Sequence, residues 1–151
     1  MARNQELRTG RHVVYNLHAH IVFVPRYRKH VFDPDALTQL RNFFRIVCAD
    51  FETDLEEFNG ESDNVHLLVR YPPKVAMSNL VNSLKGVSAR RLRLARPDIA
   101  RRYWRGGLWS ASYFVASVEG ASISILKTYI ENQRAPGGTR PQSKDRASSP
   151  A

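Results

Sequence analysis

A chain of 151 residues, 42% of them hydrophobic, is the size of one domain with one packed core. No apolar run approaches the roughly 18 to 20 residues of a membrane span, and the polar opening stretch, residues 1–11, lacks the apolar centre of a signal peptide, so a cytoplasmic protein with no membrane partner is expected. The single cysteine, Cys48, excludes an internal disulfide or a multi-cysteine zinc site, whereas 23 Lys plus Arg against 14 Asp plus Glu, a net charge of +9, points to a polyanion, nucleic acid ahead of an anionic membrane.

Residues 1–11 are polar and without periodicity and read as a flexible arm. Over residues 12–24 the apolar positions alternate as in a strand, with His18 and His20 sharing one face, and Pro25 ends it. The next turn is basic, and Arg26, Arg28 and Lys29 are candidate phosphate contacts. Asp33 or Asp35 can cap a helix that has Pro34 in its first turn and runs to about residue 52, with Leu37, Leu40, Phe44, Val47 and Phe51 on its core stripe. A strand over residues 55–61 and a second over residues 62–69 form an antiparallel pair, with candidate turn or bulge positions at Asn59-Gly60 and Ser62-Asp63.

That second strand is the centre of the functional argument. Val65, Leu67 and Val69 alternate with Asn64, His66 and Leu68, so Asn64 and His66 project from the same sheet face, where two such side chains can converge on a metal ion or a phosphate. The row of His18 and His20 lies on a sheet that can also carry His66. The plainer alternative is a hydrogen-bonded, half-exposed His beside an Asn.

Tyr71-Pro72-Pro73-Lys74 breaks the strand, and a helix over residues 78–96 follows, with Leu80, Leu84 and Val87 inward and Lys85, Arg90, Arg91 and Arg93 as candidate DNA contacts on a basic outer side. Tyr103, Trp104 and Trp109, interleaved with arginines, are candidate base-stacking residues. Residues 108–118 read as a fourth strand. A last helix, capped by Ser122 and ending near residue 134, has Ile123, Leu126 and Ile130 inward, and Tyr129 and Gln133, spaced i, i+4, together on an adjacent face. Residues 135–151 are rich in Pro, Gly, Ser and charge and read as a disordered basic tail. The predicted order makes an α+β protein, a ferredoxin-like split βαβ antiparallel sheet with an extra C-terminal helix carrying the tyrosine.

Five motifs in order, His20-Ile21-Val22-Phe23-Val24-Pro25-Arg26-Tyr27-Arg28, Asp63-Asn64-Val65-His66-Leu67-Leu68-Val69, Leu84-Lys85-Gly86, Leu108-Trp109-Ser110-Ala111-Ser112-Tyr113-Phe114-Val115 and Tyr129-Ile130-Glu131-Asn132-Gln133, resemble the HUH-type single-tyrosine transposases of bacterial insertion sequences, the TnpA family, with their relatives associated with repeated extragenic palindromes. The resemblance covers residues 12–134, taken as the transposase domain. It implies an enzyme that cleaves and rejoins single-stranded DNA at hairpin-bearing ends through a 5′-phosphotyrosine on Tyr129. It also implies a divalent metal, Mg²⁺ or Mn²⁺, held by Asn64, His66 and Gln133, with Asn64 standing where the family's motif has its first His. The implied partners are single-stranded DNA with hairpins and a second copy of the chain, in a homodimer whose active sites are shared between subunits. The alternative is a catalytically impaired DNA-hairpin-binding protein derived from such an enzyme. A third reading, an RNA-binding ferredoxin-like module, accounts for the charge but not for Tyr129 and Gln133.

Overall fold

The computed structural model describes residues 8–9, 14–103, 107–117 and 129–132. The elements are β1 (Arg8–Thr9), β2 (Val14–Tyr15), β3 (Leu17–Phe23), a 3₁₀ turn (Arg26–Arg28), α1 (Pro34–Asp50), β4 (Asp54–Glu61), β5 (Asn64–Tyr71), α2 (Met77–Ala95), α3 (Pro97–Arg102) and β6 (Phe114–Ser117), followed by helical residues 129–132. Four strands form an antiparallel sheet in the order β4-β5-β3-β6. With α1 between β3 and β4, and α2 and α3 between β5 and β6, this is the expected split βαβ arrangement, β3 and β5 lying in the middle.

The alternation of the strands sends two kinds of side chain in two directions. Ala19, Ile21, Phe23, Val65, Leu67 and Val69 join Leu40, Phe44, Val47, Leu80, Leu84 and Leu92 in one core between the sheet and the helices. The opposite face carries His20, Val22, Asn64 and His66. Asp33 caps α1, its Oδ1 accepting from Ala36 N at 2.9 Å, and Pro34 occupies the first turn as anticipated. The β4–β5 hairpin turns at Ser62-Asp63, between the paired residues Glu61 and Asn64. A Cβ on Gly60 would stand 2.5 Å from Leu37 Cδ2, so the bare glycine is what lets α1 pack down on β4. The register of β4 shifts between Leu55 and Glu57, not at Asn59-Gly60.

Several sequence expectations change. Arg8–Thr9, placed in a flexible arm, pair with Val14–Tyr15, and the strand expected over residues 12–24 is divided at Asn16 into β2 and β3. The fourth strand is shorter than the expected residues 108–118. Trp109 makes an isolated bridge with Pro25, Ser110 N donates to the Val24 carbonyl at 2.7 Å, and the ladder resumes only at Phe114; at the interruption Lys85 Nζ donates to the carbonyls of Ser110 and Ala111 at 2.8 and 3.4 Å. Trp109 and Tyr103 are core residues, not base-stacking ones. The indole lies against Phe23 and Phe32, its Nε1–H donates to the buried Ser88 Oγ at 2.9 Å, and Tyr103 is 3% exposed with its hydroxyl on the Arg26 carbonyl. Cys48 is buried and its thiol is pushed up to about 12, in keeping with a packing role. Trp104, Gln133, most of the last helix, and residues 135–151 lie outside the described residues.

Candidate active site

On β5, Asn64 and His66 do share a face, and the register supplies their neighbours. Val22 of β3 stands opposite both His66 and, on its other side, Phe114 of β6, so Phe114, Val22 and His66 form one row across three strands. Tyr129 stands at the Phe114 end of that row, its ring 5.5 Å from the Phe114 ring and its Oη 3.1 Å from Ser112 Oγ. Tyr129 and Ile130 also pack with Val22 and Val24, so the sequence-predicted nucleophile and His66 occupy the same face of one sheet. Burial raises the Tyr129 phenol above its ordinary value, while the Ser112 hydrogen bond acts in the opposite direction.

Arg28 ties this region together. Its Nε donates to Asp63 Oδ2 at 2.7 Å, and its Nη1 reaches the Glu131 carbonyl at 3.5 Å, which links the β4–β5 turn to the helical turn of Tyr129. Tyr27 and Arg28 both have positive φ, 65° and 51°, a left-handed conformation that costs a non-glycine residue energy and that turns Arg28 toward Asp63. Tyr27 remains exposed, with Arg26 and Lys29 each within 6 Å of its ring centre, at 5.6 and 5.7 Å.

Suitability for a divalent metal rests on the donor atoms. His66 Nε2 lies 2.7 Å from His20 Nδ1, and burial lowers both imidazoles, His66 further through His20, which favours neutral rings with available lone pairs. Asn64 is 5% exposed; its Nδ2 donates to Glu61 Oε1 at 3.2 Å and Asp63 Oδ1 at 2.9 Å, so the amide oxygen is the atom left for ligation. No group of three or more His, Cys, Asp or Glu side chains is arranged to hold a metal among the described residues. Two imidazoles with the Asn64 amide oxygen still form a chemically suitable set for Mn²⁺ or a similar ion.

The predicted DNA contacts do not form one surface. Arg26, Arg28 and Lys29 lie in the turn beside Asp63, but Arg28 is already held there by the carboxylate. Lys85 is half-buried and bound to the Ser110 carbonyl. Arg90 and Arg91 are exposed, and Arg93 half-exposed, on α2, which covers the other face of the sheet. Farther along the His66 face, Glu56 pairs with Arg70, and His18 Nε2 approaches Glu56 Oε1 at 3.1 Å. The parity of Ser112 with Phe114 and of His20 with Val22 was readable in the sequence; that Ser112 meets Tyr129, or His20 meets His66, depends on tertiary register.

This α+β architecture has solved counterparts. A transposase candidate from Deinococcus radiodurans R1, solved by crystallography, superposes with a TM-score of 0.78 at 33% identity over 85% of this chain and 98% of that one. A REP-associated tyrosine transposase bound to a REP hairpin gives a TM-score of 0.51 at 10% identity over 83% of this chain and 68% of that chain, a likeness of fold. The profile of the IS200-like transposases matches residues 13–133, and the chain belongs to that family. It is 32% identical over 128 residues to the ISDra2 transposase TnpA of Deinococcus radiodurans, covering 85% of this chain and 91% of that protein. It is 29% identical over 122 residues to the transposase for insertion sequence element IS200 of Salmonella typhimurium, covering 81% and 80%.

Proposed function

We propose that this transposase cleaves and rejoins single-stranded DNA at hairpin-bearing ends, with Tyr129 as nucleophile. The observation that carries the reading is Tyr129 standing over Phe114 and Val22 on the same sheet face as His66, its hydroxyl held by Ser112 at 3.1 Å. Tyr129 Oη attacks a backbone phosphorus; the Oη–P bond forms as the P–O3′ bond breaks. The departing strand leaves as a 3′-OH and the other strand stays as a 5′-phosphotyrosine. The phenol proton passes to water while the Ser112 hydroxyl donates to the phenolate oxygen as it forms, and a proton is returned to the 3′ oxygen, so the step is neutral overall. Attack by a different 3′-OH reverses it and joins DNA with no external energy source.

His66, with the oxygens of Asn64 and Gln133, would hold a divalent Mg²⁺ or Mn²⁺, which when bound polarises a non-bridging phosphate oxygen. Arg26 and Lys29 contact the strand beside the site. Arg90, Arg91 and Arg93 form a separate basic face, so a hairpin that uses both must pass around the sheet edge. Lys85 and Arg28 act by holding the Ser110 carbonyl and Asp63 in place. The working unit is a homodimer with active sites shared between subunits, a reading supported by β6, a sheet edge among the described residues, lying directly beside the tyrosine.

The test is Tyr129→Phe. Incubated with hairpin-bearing single-stranded DNA and Mn²⁺, the natural protein should give a covalent adduct that survives denaturing electrophoresis, and the variant none, with hairpin affinity within about twofold because one hydroxyl is lost. An adduct in the variant would assign the attack to another residue. Hairpin binding with no adduct from the natural protein would favour the non-catalytic binding module.

A further inference from the structure

The motif on β5 offers one imidazole where two are expected, yet two imidazoles meet on this sheet face. His20 pairs directly with Leu68, and His66 with Val22, so His20 and His66 are diagonal neighbours on adjacent antiparallel strands. Diagonal side chains stand within mutual reach when both are long. Here the reach is made: Nδ1 of His20 and Nε2 of His66 are 2.7 Å apart, with ring centres at 4.9 Å. Asn64, by contrast, has its amide nitrogen engaged by two carboxylates.

We propose that His20 supplies the second imidazole of a divalent-cation site with His66, contributing from the neighbouring strand the ring that Asn64, with only its amide oxygen to offer, does not. Two nitrogens bound to one ion at about 2.0–2.1 Å each stand about 2.9 Å apart at an octahedral right angle and about 3.4 Å apart in a tetrahedron, so from 2.7 Å the rings need to separate by roughly 0.2–0.7 Å. Both rings are half-exposed, so an ion can enter and retain water or phosphate oxygens in its remaining positions. Val22, fully buried, and Ala116 flank the pair and bring no competing charge. An imidazole pair moves preference from Mg²⁺ toward Mn²⁺, Co²⁺ and Zn²⁺. The task of the metal rests on the transposase reading, but its residence does not.

The experiment is titration of the full chain with Co²⁺ and Mn²⁺ by calorimetry, with the visible absorption of bound Co²⁺ reporting ligand number. Loss of a partner that merely orients a ligand costs about 10–100-fold in metal affinity, so His20→Phe and His66→Phe should each cost at least about tenfold. Asn64→Ala, which removes only a neutral amide oxygen, should cost less than either histidine variant, and Asn64→His added to His20→Phe should restore binding. Unchanged affinity in His20→Phe, an equal loss in Asn64→Ala, or no Co²⁺ bound by the natural protein would overturn the assignment. If His20→Phe fails to fold by circular dichroism, His20→Leu and the Asn64→Ala arm make the same comparison. Covalent-adduct formation is scored separately: His20-dependent Co²⁺ binding without adduct removes the transposase mechanism and leaves this site, whereas adduct with His20-independent Co²⁺ binding does the reverse.

Discussion

The two faces of the central sheet are built from the same strands, residue by alternating residue, and do different work. Toward the helices, Ile21, Phe23, Val65, Leu67 and Val69 are all fully buried against apolar partners. Toward the other side, His18, His20, Asn64, His66 and Arg70 bring polar atoms to a face whose apolar patch is Val22 and Val24 with Phe114, Tyr129 and Ile130. The helix face is held by surface removed from water, which tolerates little change of volume; the other face is held by directed contacts, which tolerate little change of chemistry. Stability and reactivity are thereby assigned to opposite ends of neighbouring side chains, and a substitution should reveal which face it has touched.

The largest expected break on the helix side is Phe23→Ala. Phe23 is fully buried and lies within ring contact of Phe44 and Trp109, so its removal should cost about 3–5 kcal/mol in urea unfolding, with the denaturant slope unchanged. A cost below about 1 kcal/mol would mean that the two layers are not packed as described. On the other face, Ser112→Ala should leave stability nearly untouched and change the pH profile of adduct formation. The attacking species is the phenolate, burial already raises the Tyr129 phenol, and the Ser112 hydrogen bond lowers it. Removing that bond raises it further, so the rising limb should move to higher pH and the rate near neutrality should fall about three- to tenfold, the worth of one hydrogen bond of about 0.5–1.5 kcal/mol. An unmoved profile would mean that Ser112 does not stabilise the attacking oxygen. The smallest effect is expected outside both faces: Arg91→Ala, on the exposed side of α2, should reduce the log–log salt dependence of single-stranded DNA binding by about 0.7, one phosphate contact, with no effect on adduct chemistry once DNA is saturating. An unchanged slope would remove α2 from the DNA path.

What was legible in the sequence follows the same division. The stripe Leu40, Phe44 and Val47, the Asp33 cap and the alternation of β5 are local patterns, and all were found where periodicity placed them. Their order was enough for the sheet topology, because short connections leave few ways to assemble βαββαβ. Trp109 and Tyr103 were misread as base-stacking residues since aromatic rings among arginines look alike whether they face DNA or a core; the buried Ser88 hydroxyl under the indole and the Arg26 carbonyl at the Tyr103 hydroxyl are tertiary contacts that the sequence does not record. Lys85, at the interruption before β6, was misread for a related reason: it reads as surface charge, yet it reaches across to two carbonyls of the arriving segment. Asn64 and His66 share a face because they are two apart, a fact of sequence. His20 joins His66 because one strand is set against another by a particular offset, and no spacing within either strand records that offset.

The strained turn after β3 has a consequence for how quickly and selectively the site can be used. Two successive left-handed residues send Arg28 inward to Asp63 and leave Tyr27 outward against half-buried Arg26 and Lys29, so a run of similar charges is sorted into one side chain anchored on a carboxylate and a cluster set against aromatic rings. Holding two non-glycine residues there costs on the order of 1–3 kcal/mol each. That cost falls on folding and is already met when a nucleic acid arrives, so the cluster is preorganised: the ordering entropy that a loose basic loop would lose at the moment of contact has been surrendered beforehand.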